Sequence, residues 1–181
     1  MDPVPDEKMY SAKPAMIVVF ALAVIGALGG WFYSAGLQRR PIQFWGSDRA
    51  ALILQAPIVE SLTLTPAGTA AEEGKFESLQ IGEQSWVVTN VKDISRFKGL
   101  KNVRSALIND YSFDWNAKVD VAVTQWTHGL RFRDESRQIT TIFDPERAAA
   151  FSPQTSQTHS IAPAMVGIAR FLKDANREQA R

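Results

Sequence analysis

Residues 125–143 read QWTHGLRFRDESRQITTIF, and this stretch decides the fold class. Two β-prone runs, 125–133 and 138–143, flank the polar tetrad Asp134-Glu135-Ser136-Arg137. Such a pattern predicts a hairpin, with Trp126, Leu130 and Phe132 on one face and Arg131 and Arg133 facing out. Working outward, 76–81 and 86–91 form a second pair of strands across Gly82-Glu83, and 58–65 (IVESLTLT) is a further strand. A short strand is expected at 119–124.

Helices are interspersed. Ser47 is expected to cap a helix over 48–55, with Asp48 in its first turn. Ser95 is expected to start another over 96–109, where Leu100, Val103 and Leu107 make one stripe. Residues 144–151 read as a short helix and 152–160 as a polar linker. Pro163 suits the first turn of a last helix to about Arg177, with Met165, Ile168, Phe171 and Leu172 at the helical period. Strands mixed with helices and joined by tight turns predict an α+β domain with an antiparallel sheet and two to four helices.

Upstream of this domain, residues 14–37 read PAMIVVFALAVIGALGGWFYSAGL, without a charge between Lys13 and Arg39. About 20 apolar residues in a helix cross a hydrocarbon core of about 30 Å. Trp31 and Tyr33 suit the interface, and Arg39 and Arg40 close the run. A signal peptide would have a shorter apolar core and a small-x-small site beyond it. Here Ala27-Leu28-Gly29 and Ser34-Ala35-Gly36 lie inside the run or at its end, so an uncleaved transmembrane anchor is expected. The expected layout is a polar tail (1–13), the transmembrane helix (14–37), a juxtamembrane linker (38–46), the α+β domain (47–175) and a frayed tail (176–181).

Gly26 with Gly30, and Ala23 with Ala27, are small-xxx-small pairs that let a second helix approach. Lys and Arg counts on the two flanks slightly favour a cytoplasmic C-terminal side. Chains with one N-terminal anchor commonly export the following domain, and that placement, extracytoplasmic at the cell membrane, is the one adopted.

Composition narrows the function. The chain has 181 residues, no cysteine and a net charge of +1. Thiol chemistry, disulfides and thiolate metal sites are excluded. Four bases and three acids precede Pro41, which leaves 16 of each beyond it. This balance argues against a nucleic-acid partner.

The stretches FWG (44–46), DISRFKGLKNVRSALINDYSFDW (93–115) and WTHGLRFRD (126–134) resemble small bacterial single-pass membrane proteins of uncharacterised activity. The resemblance implies the same anchor-plus-domain layout and no activity, cofactor or catalytic residue.

Catalytic patterns are sparse. His128 lies on or beside a hairpin strand, and His159 lies in the Ser/Thr/Gln-rich linker. Neither sits in a nucleophile elbow or an HExxH motif. No P-loop or dinucleotide fingerprint occurs, and no cofactor or metal is implied. The expectation is a membrane-anchored, non-enzymatic binding or accessory subunit. Its partners would be the bilayer and another membrane protein, or a second copy of itself. Contacts are expected at Lys98, Lys101 and Arg104 on the basic side of the 96–109 helix, and at the aromatics Tyr111, Phe113 and Trp115. One alternative is a hydrolase-like site built from Asp110, Asp114 and His128 on neighbouring loops. Another is a structural domain paired through the transmembrane GxxxG.

Overall fold

The computed structural model describes residues 12–37, 39–68 and 77–177. The polar tail at 1–11, most of the 66–74 loop, Phe76 and residues 178–181 lie outside this set. The chain divides between Gly36 and Leu37 into two compact units.

The first unit holds all but the last residue of α1, Ala12–Leu37, a continuous helix of 26 residues. Its side chains are described over 16–30 and at Gly36, so Trp31 and Tyr33 as interface anchors lie outside the description. At about 1.5 Å per residue, the stretch 16–30 rises only about 22 Å. Among the described residues no helix is long and apolar enough to cross a membrane. The transmembrane anchor expected at 14–37 is therefore unsupported at this level.

The second unit is α+β. Its seven strands are β1 Ile58–Pro66, β2 Ser78–Ile81, β3 Gln84–Asp93, β4 His128–Arg133, β5 Gln138–Asp144, β6 Ala149–Ser152 and β7 Gln157–Ser160. They form one sheet in the order β2-β3-β1-β4-β5-β6-β7, and every neighbouring pair is antiparallel. Its helices are α2 Arg39–Trp45, α3 Ser47–Gln55, α4 Leu100–Ile108 and α5 Ala162–Arg177.

The two faces of the sheet carry separate cores. On one face Val59, Leu130, Phe132, Ile139 and Phe143 pack under apolar residues of all four helices. On the other, Leu62, Leu64, Trp86, Val88, Trp126, Ile142 and Phe151 pack among themselves. Flat neighbouring strands lie about 4.8 Å apart, so β3 and β6, four places apart, would be too distant to share a cluster. The sheet therefore curls, and this second face is concave. A register shift between Thr63 and Leu64, where the facing strand β3 carries the extra residue Thr89, accompanies the curl, and such bulges bend a strand and increase its twist. At Gly129 of β4 a Cβ would lie 3.2 Å from the Thr141 carbonyl oxygen and 3.3 Å from the Leu62 Cβ. Glycine there lets β1, β4 and β5 pack closely.

Several expectations are corrected. The linker at 38–46 is instead α2, and Phe44 and Trp45 are core residues at 2% and 0% exposure. Ser47 is the first residue of α3, and the N-cap position belongs to Gly46. The helix expected from Arg96 begins only at Leu100, behind Gly99 in the left-handed region at φ 97°. Ser95 is committed elsewhere: its hydroxyl accepts the Val59 N–H and donates to the Asp93 carboxylate. Where a strand was expected at 119–124, a 3-10 turn, Val121–Val123, forms with its N-terminus capped by Asp120.

The helix expected at 144–151 is a turn followed by β6. The Asp144 carboxylate accepts the Glu146 and Arg147 N–H groups and so closes the turn locally. The polar linker at 152–160 ends in β7. Because β4 starts only at His128, Trp126 escapes the strand alternation and packs on the concave face, away from Leu130 and Phe132. Arg131 does not face water. It pairs with Glu60 at 3.5 Å and with Glu77.

Candidate functional site

The small-residue face of α1 is open. A Cβ at Gly26 or Gly30 would meet nothing within 4 Å. Ala23 and Ala27 are exposed, as are the large residues around them: Met16, Ile17, Val18, Val19, Phe20, Leu22, Val24, Ile25 and Leu28. These residues cover the full circumference of the helix, so it has no polar side over this stretch.

In the domain, the expected basic face divides. Lys98 and Lys101 are exposed, but Lys98 precedes α4 rather than lying on it. Arg104 is structural. Its guanidinium donates to the carbonyl oxygens of Leu54 and Ala56, at 2.6 Å each, and lies 5.9 Å from the centre of the Phe132 ring. It thereby satisfies carbonyls at the end of α3 that have no helical partner. Burial lowers its pKa.

The expected aromatic contacts also divide. Tyr111 is 61% exposed, in the 3-10 turn Asp110–Ser112. Phe113 is buried and stacks on half-buried Trp115 at 4.6 Å. Phe44 meets Phe113 edge-on at 5.8 Å, and the His159 ring stands against both Phe44 and Trp115 at 4.9 Å. Trp45 closes the group by donating its indole N–H to the Leu107 carbonyl at 2.7 Å. These rings tie α2, the segment after α4 and β7 together. Burial holds His159 below its ordinary pKa.

The three residues of the hydrolase-like alternative sit in different settings. His128 is in strand β4 rather than a loop, across from Thr63 and Phe143, and its Nδ1 is 2.8 Å from the Thr127 hydroxyl. Burial lowers its pKa. Asp114 accepts the N–H groups of Asn116 and Ala117, and its backbone bridges Ser160. Asp110 carries a buried carboxylate oxygen with no hydrogen-bond partner among the described residues. No group of three His, Asp or Glu side chains able to hold a metal occurs among the described residues.

Hollows shape the surface of the described residues, and three of them are the largest of those described. One, of about 760 Å³, is lined by Lys92, Arg96 and Lys98 beside Asp93. The Asp93 carboxylate is bound by the Ser95 hydroxyl and N–H, which lower its pKa. A second, of about 430 Å³, is a groove between α4 and α5 with Val103, Ala106, Ile168 and Phe171 in its floor. The third opens from the concave face beside Trp86. Sequence reasoning missed it, because it depends on the curl that brings 66–67, 84–86 and 122–127 together.

Comparison with protein-family models, curated proteins and solved structures gives no match for this chain.

Proposed function

We propose that this chain is a single-pass, membrane-anchored, non-enzymatic binding or accessory subunit, with α1 in the bilayer and the α+β domain presented at the membrane surface. One observation carries the reading. The described side chains of α1 are apolar around the whole helix and exposed along it. A helix apolar all round needs apolar surroundings on every side. The uncharged run continues in sequence to Arg39, long enough for a span. The resemblance to small bacterial single-pass proteins points the same way. The accessory role draws further support from the α4–α5 groove with Lys98 at its rim, and from exposed Lys101 and Tyr111. The partner is another membrane or membrane-associated protein, and the domain is assigned to the extracytoplasmic side.

Alkaline carbonate extraction of membranes holding the full chain tests the anchor. Retention in the pellet is expected, and release into the supernatant overturns it. Mild-detergent purification followed by mass spectrometry tests the accessory role. A stoichiometric companion is expected; a chain that runs alone overturns that part.

A further inference from the structure

Two of the hollows meet. Phe97 and Lys98 line both the hollow of about 760 Å³ over 92–98 and the groove of about 430 Å³ between α4 and α5. A Cβ at Gly99, just ahead of α4, would lie 3.6 Å from the Phe171 ring, and Phe97 meets that ring edge-on at 5.4 Å. The bridge between Asp114 and Ser160 brings the chain after α4 to the start of α5. The helices therefore run antiparallel, and the joined hollow has two unlike ends. Its ionisable lining residues are Lys92, Arg96, Lys98 and Arg170 against Asp93 and Asp174. Arg170 and Asp174 flank Phe171, so all six gather toward the Phe97 end. Asp93 is held by the Ser95 hydroxyl and N–H. None of the four bases forms an ion pair among the described residues. Arg96, Lys98 and Arg170 are exposed, while Lys92 is half-buried and donates to the Ala175 carbonyl oxygen. The other end is uncharged and open: Pro163 and Gly167 are exposed there, and Ala106 and Ala164 are half-buried.

We propose that the joined hollow binds a single-chain anionic amphiphile, with its phosphate-bearing head against Arg96 and Lys98 and its acyl chain along the groove between α4 and α5. The bases set the head. A guanidinium can hold two phosphate oxygens at once and an ammonium adds a point charge, so an anion gains charge-assisted bonds that a neutral or cationic head cannot make. The walls set the tail. Laying a chain over Ala106, Pro163, Ala164 and Gly167 removes apolar surface from water on both sides. There is one groove, so it takes one chain. Apolar walls with a few polar groups at one end, set between helices, are a usual form of small-molecule site. The inference goes beyond the accessory reading and does not rest on it: a bound amphiphile fills the groove and leaves exposed Lys101 and Tyr111 to a partner.

The test uses the full chain in phosphatidylcholine nanodiscs with 15N-labelled glycine. Gly99 and Gly167 line the groove and report on it. Each follows a residue that precedes no other glycine, Lys98 and Val166, so carbonyl-13C lysine and valine assign both signals without a variant. The probe is oleoyl-lysophosphatidic acid. Oleoyl-lysophosphatidylcholine has the same chain under a zwitterionic head, and glycerol phosphate is a head without a chain. Saturable movement of both signals is expected with the probe, with binding about tenfold weaker for the choline lipid and no movement with glycerol phosphate. The Gly129 signal, from within the sheet, should stay in place. Arg96→Glu with Lys98→Glu, both at exposed positions, should remove the preference for the anionic head. Gly167→Leu, where a Cβ meets nothing within 4 Å, fills the groove and should abolish the movement of Gly99. Signals that do not move, equal affinity for the choline lipid, movement of Gly99 that survives Gly167→Leu, or an equal response to two-chain phosphatidate in the nanodisc bilayer overturns the site.

Discussion

In α5, the buried residues Met165, Ile168, Phe171 and Leu172 recur at intervals of three, three and one, while Val166 between them is 75% exposed. In α1, Met16, Ile17, Val18, Val19 and Phe20 follow one another without a break, and all are exposed. The residue types overlap; the order differs. A periodic stripe belongs to a helix with one apolar neighbour, here the sheet and α4. An unbroken run belongs to a helix whose surroundings are apolar in every direction. The contrast separates a helix that completes a core from one that the proposed function places in a different solvent.

The contrast breaks most sharply in the core. Leu172→Ala removes a side chain that is 1% exposed. A loss of about 2–5 kcal/mol is expected, read as a lower denaturation midpoint of the domain. An arginine in each helix comes next. Ile25→Arg on α1 should cost about 2.5–3.5 kcal/mol of membrane insertion, whereas Val166→Arg on the exposed side of α5 should change domain stability by less than about 0.5 kcal/mol. Carbonate-resistant fraction and domain melting read the two arms; equal tolerance of both arginines would remove the distinction.

Acid produces the smallest effect and sharpens the comparison differently. Burial lowers the folded-state pKa of His128 and of His159 below the ordinary 6.5. The unfolded chain therefore binds protons first as pH falls. Stability is complete above about 6.5 and declines as pH drops through 6.5 toward the folded values. A lower melting temperature at pH 5 than at pH 7 is expected, and His159→Phe should reduce the difference. Residues 14–37 contain no Asp, Glu, His, Lys or Arg. Membrane retention should therefore be the same at both pH values.

Strong periodicity made β1, the β2–β3 and β4–β5 hairpins and α5 legible in the sequence. β6 and β7 were not legible. Their sequences, AAFS and QTHS, are short and carry little strand preference. They are strands because β5 offers β6 an edge and β6 offers β7 another, a case of pairing overriding propensity. α2 was missed because seven residues show hardly two turns of periodicity. Its aromatic pair is core only because the fold brings Phe113 and His159 against Phe44. Within the candidate contacts, Lys98, Lys101 and Tyr111 are exposed as their residue types suggest. Arg104 is not available, because nothing local announces that the carbonyls of Leu54 and Ala56, about 50 residues earlier, need its guanidinium. The burial of the Trp86 indole N–H, without an acceptor among the described residues, is likewise a product of tertiary folding.

The bond from the Trp45 indole to the Leu107 carbonyl spans 62 residues. It also imposes an order in time. At about 5–20 residues per second, a ribosome needs roughly 3–12 s after Trp45 to deliver Leu107. Helix α1 is complete before that interval begins, and the aromatic pair of α2 passes through it without a core to enter. Phe44 waits longer still, since His159 lies 115 residues after it. Synthesis therefore runs α1 first and the domain core later, and the residues of α2 are those exposed longest to chaperones and proteases.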